Sequence, residues 1–208
     1  MPEKNELVVV DTNCLVRLYF SPVRPLLARP VANHSLKTLD EMAEELRRLA
    51  AGERHAWLSE PVILDEVNGA VIKLTRAQRR SIAAAAVDMR KTGDNILRAY
   101  CKKHKLRMLR NLSGVDAFAL AAALELKAKL ATDEWPLRMV AAQTDADDSV
   151  GRVPLLSSVE LLSFVEREGL CTREQSRTTY RNWANYQELT RDAPMLFKKL
   201  FEEEPPAG

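Results

Sequence analysis

Leu7-Val8-Val9-Val10-Asp11-Thr12-Asn13 decides the fold. Four consecutive apolar residues, three of them β-branched, offer no polar face to water. They read as a strand covered on both sides, as in the middle of a parallel sheet. The run breaks at Asp11, and in open α/β sheets the carboxyl ends of the strands border the ligand crevice. Asp11 is therefore either a crevice residue or the N-cap of the next helix, a position that suits Asp.

Working outward, strands and helices alternate. A helix-like stretch runs to about Phe20 and a Pro-rich loop follows through Pro22, Pro25 and Pro30. Thr38-Leu39-Asp40-Glu41 has capping-box spacing and opens a helix ending near Gly52. His55-Ala56-Trp57-Leu58 is expected as a second strand, and Pro61 suits the first turn of another helix. Thr75-Arg76-Ala77-Gln78 caps the first of two basic helices. Leu106-Arg107-Met108-Leu109 is the third candidate strand, and Ser113 caps an Ala/Leu-rich helix to about Lys129. Leu130-Ala131 and Val153-Pro154-Leu155-Leu156 complete the strands, and a helix covers Val159–Arg167. Alternation of this kind predicts an α/β fold: a parallel sheet of about five strands with helices on both faces, over residues 1–168. Beyond Gly169, Thr172-Arg173-Glu174-Gln175 and the apolar Met195–Phe201 predict a C-terminal helical extension over 169–201. Trp183, Tyr180 and Tyr186 on it could dock on the core, bind a partner or extend a dimer interface. The tail 202–208 is expected to be disordered.

The net charge of +2 hides an asymmetry. Lys73–Arg110 holds twelve Lys/Arg and only Asp88 and Asp94, a net +10 that leaves about −8 for the remainder. A basic stretch in an otherwise acidic chain points to a polyanionic partner, or to solvated helix faces. No apolar run approaches the roughly 20 residues that span a bilayer. The polar start Met1–Glu6 is unlike a secretory signal. Cys14, Cys101 and Cys171 are odd in number and far apart, as expected of reduced thiols in the cytoplasm.

Acidic residues at strand ends and on apolar faces need explaining. Glu66 shares a helical row with Val62 and Ala70, which predicts a carboxylate on a buried stripe. Such a group costs several kcal/mol unless a cation or a buried Arg meets it. Asp116 lies in the first turn of the Ala-rich helix, either as the third residue of a capping box with Ser113 or as a crevice residue. Asp133 and Glu134 follow Leu130-Ala131; one faces the crevice and the other caps the helix beginning at Trp135, and spacing does not choose between them. If these groups converge, two carboxylates 5 Å apart repel by roughly 3 kcal/mol at an effective dielectric near 20. A divalent cation relieves this, and oxygen ligands suit Mg²⁺ or Mn²⁺ rather than Zn²⁺. His34, His55 and His104 show no zinc spacing. A hard cation at the mouth of a parallel sheet favours phosphoryl chemistry.

Four stretches in order resemble the acidic motifs of PIN-domain nucleases: Val8–Asn13, Val62–Val67, Ser113–Ala123 and Leu130–Arg138. The resemblance covers about residues 7–165 and implies a PIN-like three-layer sandwich. It implies a Mg²⁺- or Mn²⁺-dependent ribonuclease with Asp11, Glu66 and Asp116 as metal ligands and Asp133 or Glu134 as the fourth acid. Thr12, Asn13 and Thr132 would orient the carboxylates. The chain is similar to VapC-type toxins, which pair with an antitoxin and often form homodimers, although it is longer than most of them. Arg76, Arg79, Arg80, Lys102, Lys103 and Arg107 are the expected RNA-backbone contacts. A DNA nuclease acting on single strands or flaps, and a catalytically degenerate PIN-fold module binding RNA or protein, are the alternatives. An aspartyl-nucleophile phosphatase is disfavoured, because Asn13 stands where the second Asp of that chemistry belongs.

Overall fold

Val8, Val9 and Val10 are all fully buried, and their side chains alternate between two hydrophobic cores. They belong to β1 (Glu6–Val10), which has parallel neighbours on both sides, β2 (His34–Lys37) and β3 (Lys129–Ala131). A fourth strand, β4 (Leu155–Leu156), pairs in parallel with β3, so the order is β2-β1-β3-β4, and the sheet of the described residues has four strands where about five were expected. A single parallel bridge, Thr38 to Val71, lies at the end of β2. The computed structural model describes residues 5–21, 27, 29–31, 33–106, 110–144, 152–187 and 189–207.

Helices cover both faces, giving an α/β sandwich of three layers. Val8 and Val10 face α1 (Thr12–Tyr19), α2 (Asp40–Ala50) and α3 (Pro61–Gly69). Val9 faces α4 (Arg76–Lys103), α5 (Gly114–Glu125) and α6 (Trp135–Thr144). The first layer is completed by α7 (Ser158–Arg167), α8 (Arg173–Tyr186) and α9 (Ala193–Phe201). The apolar run Ala117–Ala123 is wholly buried in α5. Among the described residues no helix is long and apolar enough to cross a membrane.

Three local expectations are corrected. The second strand is His34–Lys37 and not His55–Leu58, which lies in a 3-10 segment, Glu53–Ser59. That segment is squeezed between the end of α2 and Pro61, where short 3-10 turns serve as connectors. Only Leu36 marks β2 as apolar, so its four residues carry little strand signal. The two basic helices are one helix of 28 residues, α4. It passes close to its neighbours at Gly93, where an added Cβ would come within 2.9 Å of a Leu112 methyl. The helix stops where Lys105 turns left-handed at φ 51°. Leu106 follows in an exposed, non-strand conformation. The rest of that expected strand, residues 107–109, lies outside the described residues.

The C-terminal helices are built into the first layer. Trp183 on α8 is fully buried, and its indole Nε1 donates to the carbonyls of Arg17 at 2.8 Å and Phe20 at 3.2 Å. It thereby satisfies carbonyls that the end of α1 leaves unpaired. Residues 202–207, expected to be disordered, lie against α8: Glu203 pairs with Arg177 at 2.7 Å and Pro206 is buried.

Candidate active site

Asp11 stands at the carboxyl end of β1 and is also the N-cap of α1, so the two sequence readings are realised together. Its Oδ1 accepts from the Thr12 amide at 2.7 Å and its Oδ2 from the Thr132 hydroxyl at 2.9 Å. Thr132 follows β3, whose carboxyl end adjoins that of β1 through the parallel register. Asp11 is 2% exposed. It lines a pocket of ≈ 320 Å³ together with Asn13, Glu45, Arg110, Asp116 and Glu134.

The second acid in this pocket is Glu45, not Glu66. Glu45 projects from α2 and accepts a 2.6 Å hydrogen bond from the Thr12 hydroxyl. Glu66 accepts instead from the Leu27 amide and does not line the pocket. The buried stripe of α3 is Ile63, Val67 and Ala70, and Val62 is 67% exposed. Val62, Ile63, Leu64 and Val67 point to more than one side of this nine-residue helix, so periodicity cannot select one face. Glu45 could have been found as the residue beside Leu46 at the edge of the α2 stripe, next to Leu49 one turn on. Four acids in six residues, Asp40 to Glu45, obscured it.

Asp116 closes its capping box: its carboxylate accepts from the Ser113 amide at 3.2 Å while its own amide donates to the Ser113 hydroxyl at 3.0 Å. It lines the pocket as well. Asp94 on α4 holds the preceding segment by accepting from the Leu112 amide at 2.8 Å. That bond places Asn111 and Ser113 on the pocket wall.

Asp133 and Glu134 part company. Asp133 turns into the protein, where it pairs with the buried Arg17 and accepts from the Ser158 hydroxyl and amide at the start of α7. Asp133 is thus the carboxylate that meets a buried arginine. Glu134 faces the pocket and accepts from the Asn13 side-chain amide, while its own amide donates to the Thr132 hydroxyl at 3.1 Å. Asp133→Asn is expected to cost about 3 kcal/mol of stability by removing the negative charge from a buried ion pair. Glu134→Gln should change stability little. Urea denaturation of the two variants separates a carboxylate that holds the fold from one that serves the pocket.

Electrostatics mark the pocket. Asp11 is pushed up to about 8, first by burial and then by the negative charge of Asp116, with Glu134 adding to it and the bonds from Thr132 and Thr12 opposing. Glu134 is also raised, by burial and by Asp116, against the pull of Arg17 and Arg110. Carboxylates on three different elements therefore feel one another, which is the frustration a cation removes.

The expected RNA contacts are dispersed. Arg76, Arg80, Lys102 and Lys103 are exposed on α4. Arg79 is engaged by Asp40 at 2.5 Å and Glu41 at 2.8 Å. Arg107 lies outside the described residues. Arg110, the last residue of the basic stretch but not one of the six expected contacts, lines the pocket, and the Arg90 guanidinium lies 3.9 Å from where a Cβ on Gly114 would stand. None of the three histidines lines the pocket.

The donor set fits a hard divalent cation in chemistry: Asp11, Glu45, Asp116 and Glu134 present only oxygen. Among the described residues, no three His, Cys, Asp or Glu side chains already stand in a metal-holding group. The side chains would have to draw inward around an ion. Comparison of the chain with protein-family models, with characterised proteins and with solved structures finds no match.

Proposed function

We propose that this chain is a Mg²⁺- or Mn²⁺-dependent endoribonuclease whose site is Asp11, Glu45, Asp116 and Glu134. The observation that carries the reading is the convergence of four carboxylates from separate elements on one pocket at the carboxyl ends of parallel strands, beside Arg110. It keeps Asp11 and Asp116 from the PIN-like pattern, takes Glu134 rather than Asp133 as the fourth acid and replaces Glu66 with Glu45. The bound ion would neutralise charge on the phosphodiester and lower the pKa of the attacking water. Thr12 and Thr132 hold Asp11, Thr12 also holds Glu45, and Asn13 orients Glu134. Arg110 and Asn111, on the pocket wall, bind the phosphate. Hydrolysis joins the water oxygen to phosphorus, breaks one P–O ester bond and leaves a proton on the departing oxygen.

The test is cleavage of end-labelled single-stranded RNA with Mg²⁺, with Mn²⁺ and with EDTA. Glu45→Gln should lower the rate by about 100-fold or more. Glu66→Gln should stay within about threefold of the parent, since Glu66 does not line the pocket and its loss removes no group from it. The reading fails if the wild type and Asp11→Asn cut equally. RNA binding without cleavage would instead identify a binding module, and faster cutting of single-stranded DNA or flaps a DNA nuclease.

A further inference from the structure

Tyr100, His104 and Trp135 form a row of rings whose first member, Trp135, is a chain neighbour of the carboxylate pocket's lining. Tyr100 and His104 are one turn apart at the end of α4, with ring centroids 4.2 Å apart and tilted by 34°. Trp135 opens α6 and its centroid lies 5.8 Å from that of Tyr100. It stands in the chain between Glu134 and Pro136, both of which line the pocket. The row thus starts one residue from the pocket lining and runs to the end of α4. Its members grow more exposed in that direction: Trp135 and Tyr100 are half-buried and His104 is exposed. A ring cluster serving only the core would end under cover, whereas this one ends in solvent among Lys102, Lys103 and Lys105, all exposed.

We propose that this row is a stacking platform for the bases of single-stranded RNA that flank the scissile phosphodiester. Aromatic faces combined with cations along a strand path are the means by which proteins hold single strands without reading sequence. The lysines around His104 supply the charge complementary to the phosphates. A duplex could not use the platform, because its base faces are already covered by their neighbours. The proposal rests on the ribonuclease reading for the position of the phosphodiester, and it adds the residues that hold the flanking bases, with weak sequence preference there.

The probe is a fluorescein-labelled, mixed-sequence RNA of about 12 nucleotides, within the range of single-strand site sizes. Binding is followed by anisotropy on the full chain carrying Asp11→Asn, so that the probe is not cut. The same strand in a duplex, and an abasic strand of equal length, are the comparisons. The single strand should bind at least about tenfold tighter than the duplex. Trp135→Ala should weaken it by about tenfold and Trp135→Phe should restore most of the loss. His104→Ala, on an exposed ring whose loss cannot unfold the chain, should weaken it by about threefold. The abasic strand should bind weakly and feel none of these changes.

Equal binding of duplex and single strand overturns the proposal. So does unaltered binding by both Trp135→Ala and His104→Ala, or an abasic strand that responds to them as the RNA does. Ring-dependent binding by a wild-type protein that cuts nothing would remove the ribonuclease reading and leave the platform. Cleavage with ring-independent binding would do the reverse.

Discussion

Asp11→Asn should make the metal-free protein more stable by on the order of 3 kcal/mol at pH 9 while abolishing cleavage. The folded chain holds the Asp11 carboxyl at about 8, against an ordinary value of 3.8. Between these values the unfolded chain has released the proton and the folded chain keeps it. Stability therefore falls as pH rises from about 4 to about 8 and levels off above. Each unit of displacement is worth about 1.4 kcal/mol, which leaves room for several kcal/mol in all.

Asparagine is nearly isosteric with aspartate. Its carbonyl oxygen can accept from the Thr12 amide and its amide can donate to the Thr132 hydroxyl, so the cap survives and the charge does not. The gap between the two proteins should open between pH 4 and pH 8 in EDTA, measured by urea unfolding. Adding Mn²⁺ should raise the melting temperature of the parent and not of the variant, because only an ion that binds the folded state shifts the equilibrium. A variant that is less stable than its parent at pH 9 in EDTA would show that Asp11 sits comfortably without a cation.

Trp183→Ala is expected to cost about 4 kcal/mol, within the range for emptying a fully buried aromatic site. The loss has two parts. The cavity opens in the core that also contains Val8, Val10, Leu15 and Leu18. The carbonyls of Arg17 and Phe20 lose the indole donor at the end of α1, the helix whose first residues carry Thr12 and Asn13. For a chain of this size the melting temperature should drop by about 8–16 °C. Cleavage measured well below the new melting point should fall too, since the same helix positions Asn13 against Glu134. A drop of only a degree or two in differential scanning calorimetry would mean that α8 and α9 are an appendage, separable at residue 168.

How much was legible in advance follows from the range of each signal. The β1 run is uninterrupted and ends in Asp11, so strand, layer and crevice position could be read from seven residues. The capping boxes at Thr75, Ser113 and Thr172 are local chemistry, and all three are formed, but the one expected at Thr38 is not: α2 starts after Leu39 with no side-chain cap, and the Thr38 hydroxyl donates to the Val10 carbonyl. β2 went unread because its burial comes from its neighbours, not from its own composition. Glu66 was favoured over Glu45 for a related reason: a short helix with apolar residues on more than one side can be rolled to bury either face.

The amino-acid order alone determined a parallel α/β fold, an aspartate at the mouth of its central strand and further acids at later strand ends. Only the folded chain decided which acids meet. It took Glu45 and left Glu66, and it sent Glu134 outward while binding Asp133 to Arg17 and Ser158. It also drew α8 into the same core. The physical reason is that hydrogen-bonding pattern and periodicity act over three or four residues, whereas a carboxylate's direction is set by whichever distant partner satisfies it: Thr12 for Glu45, Arg17 for Asp133 and Asn13 for Glu134.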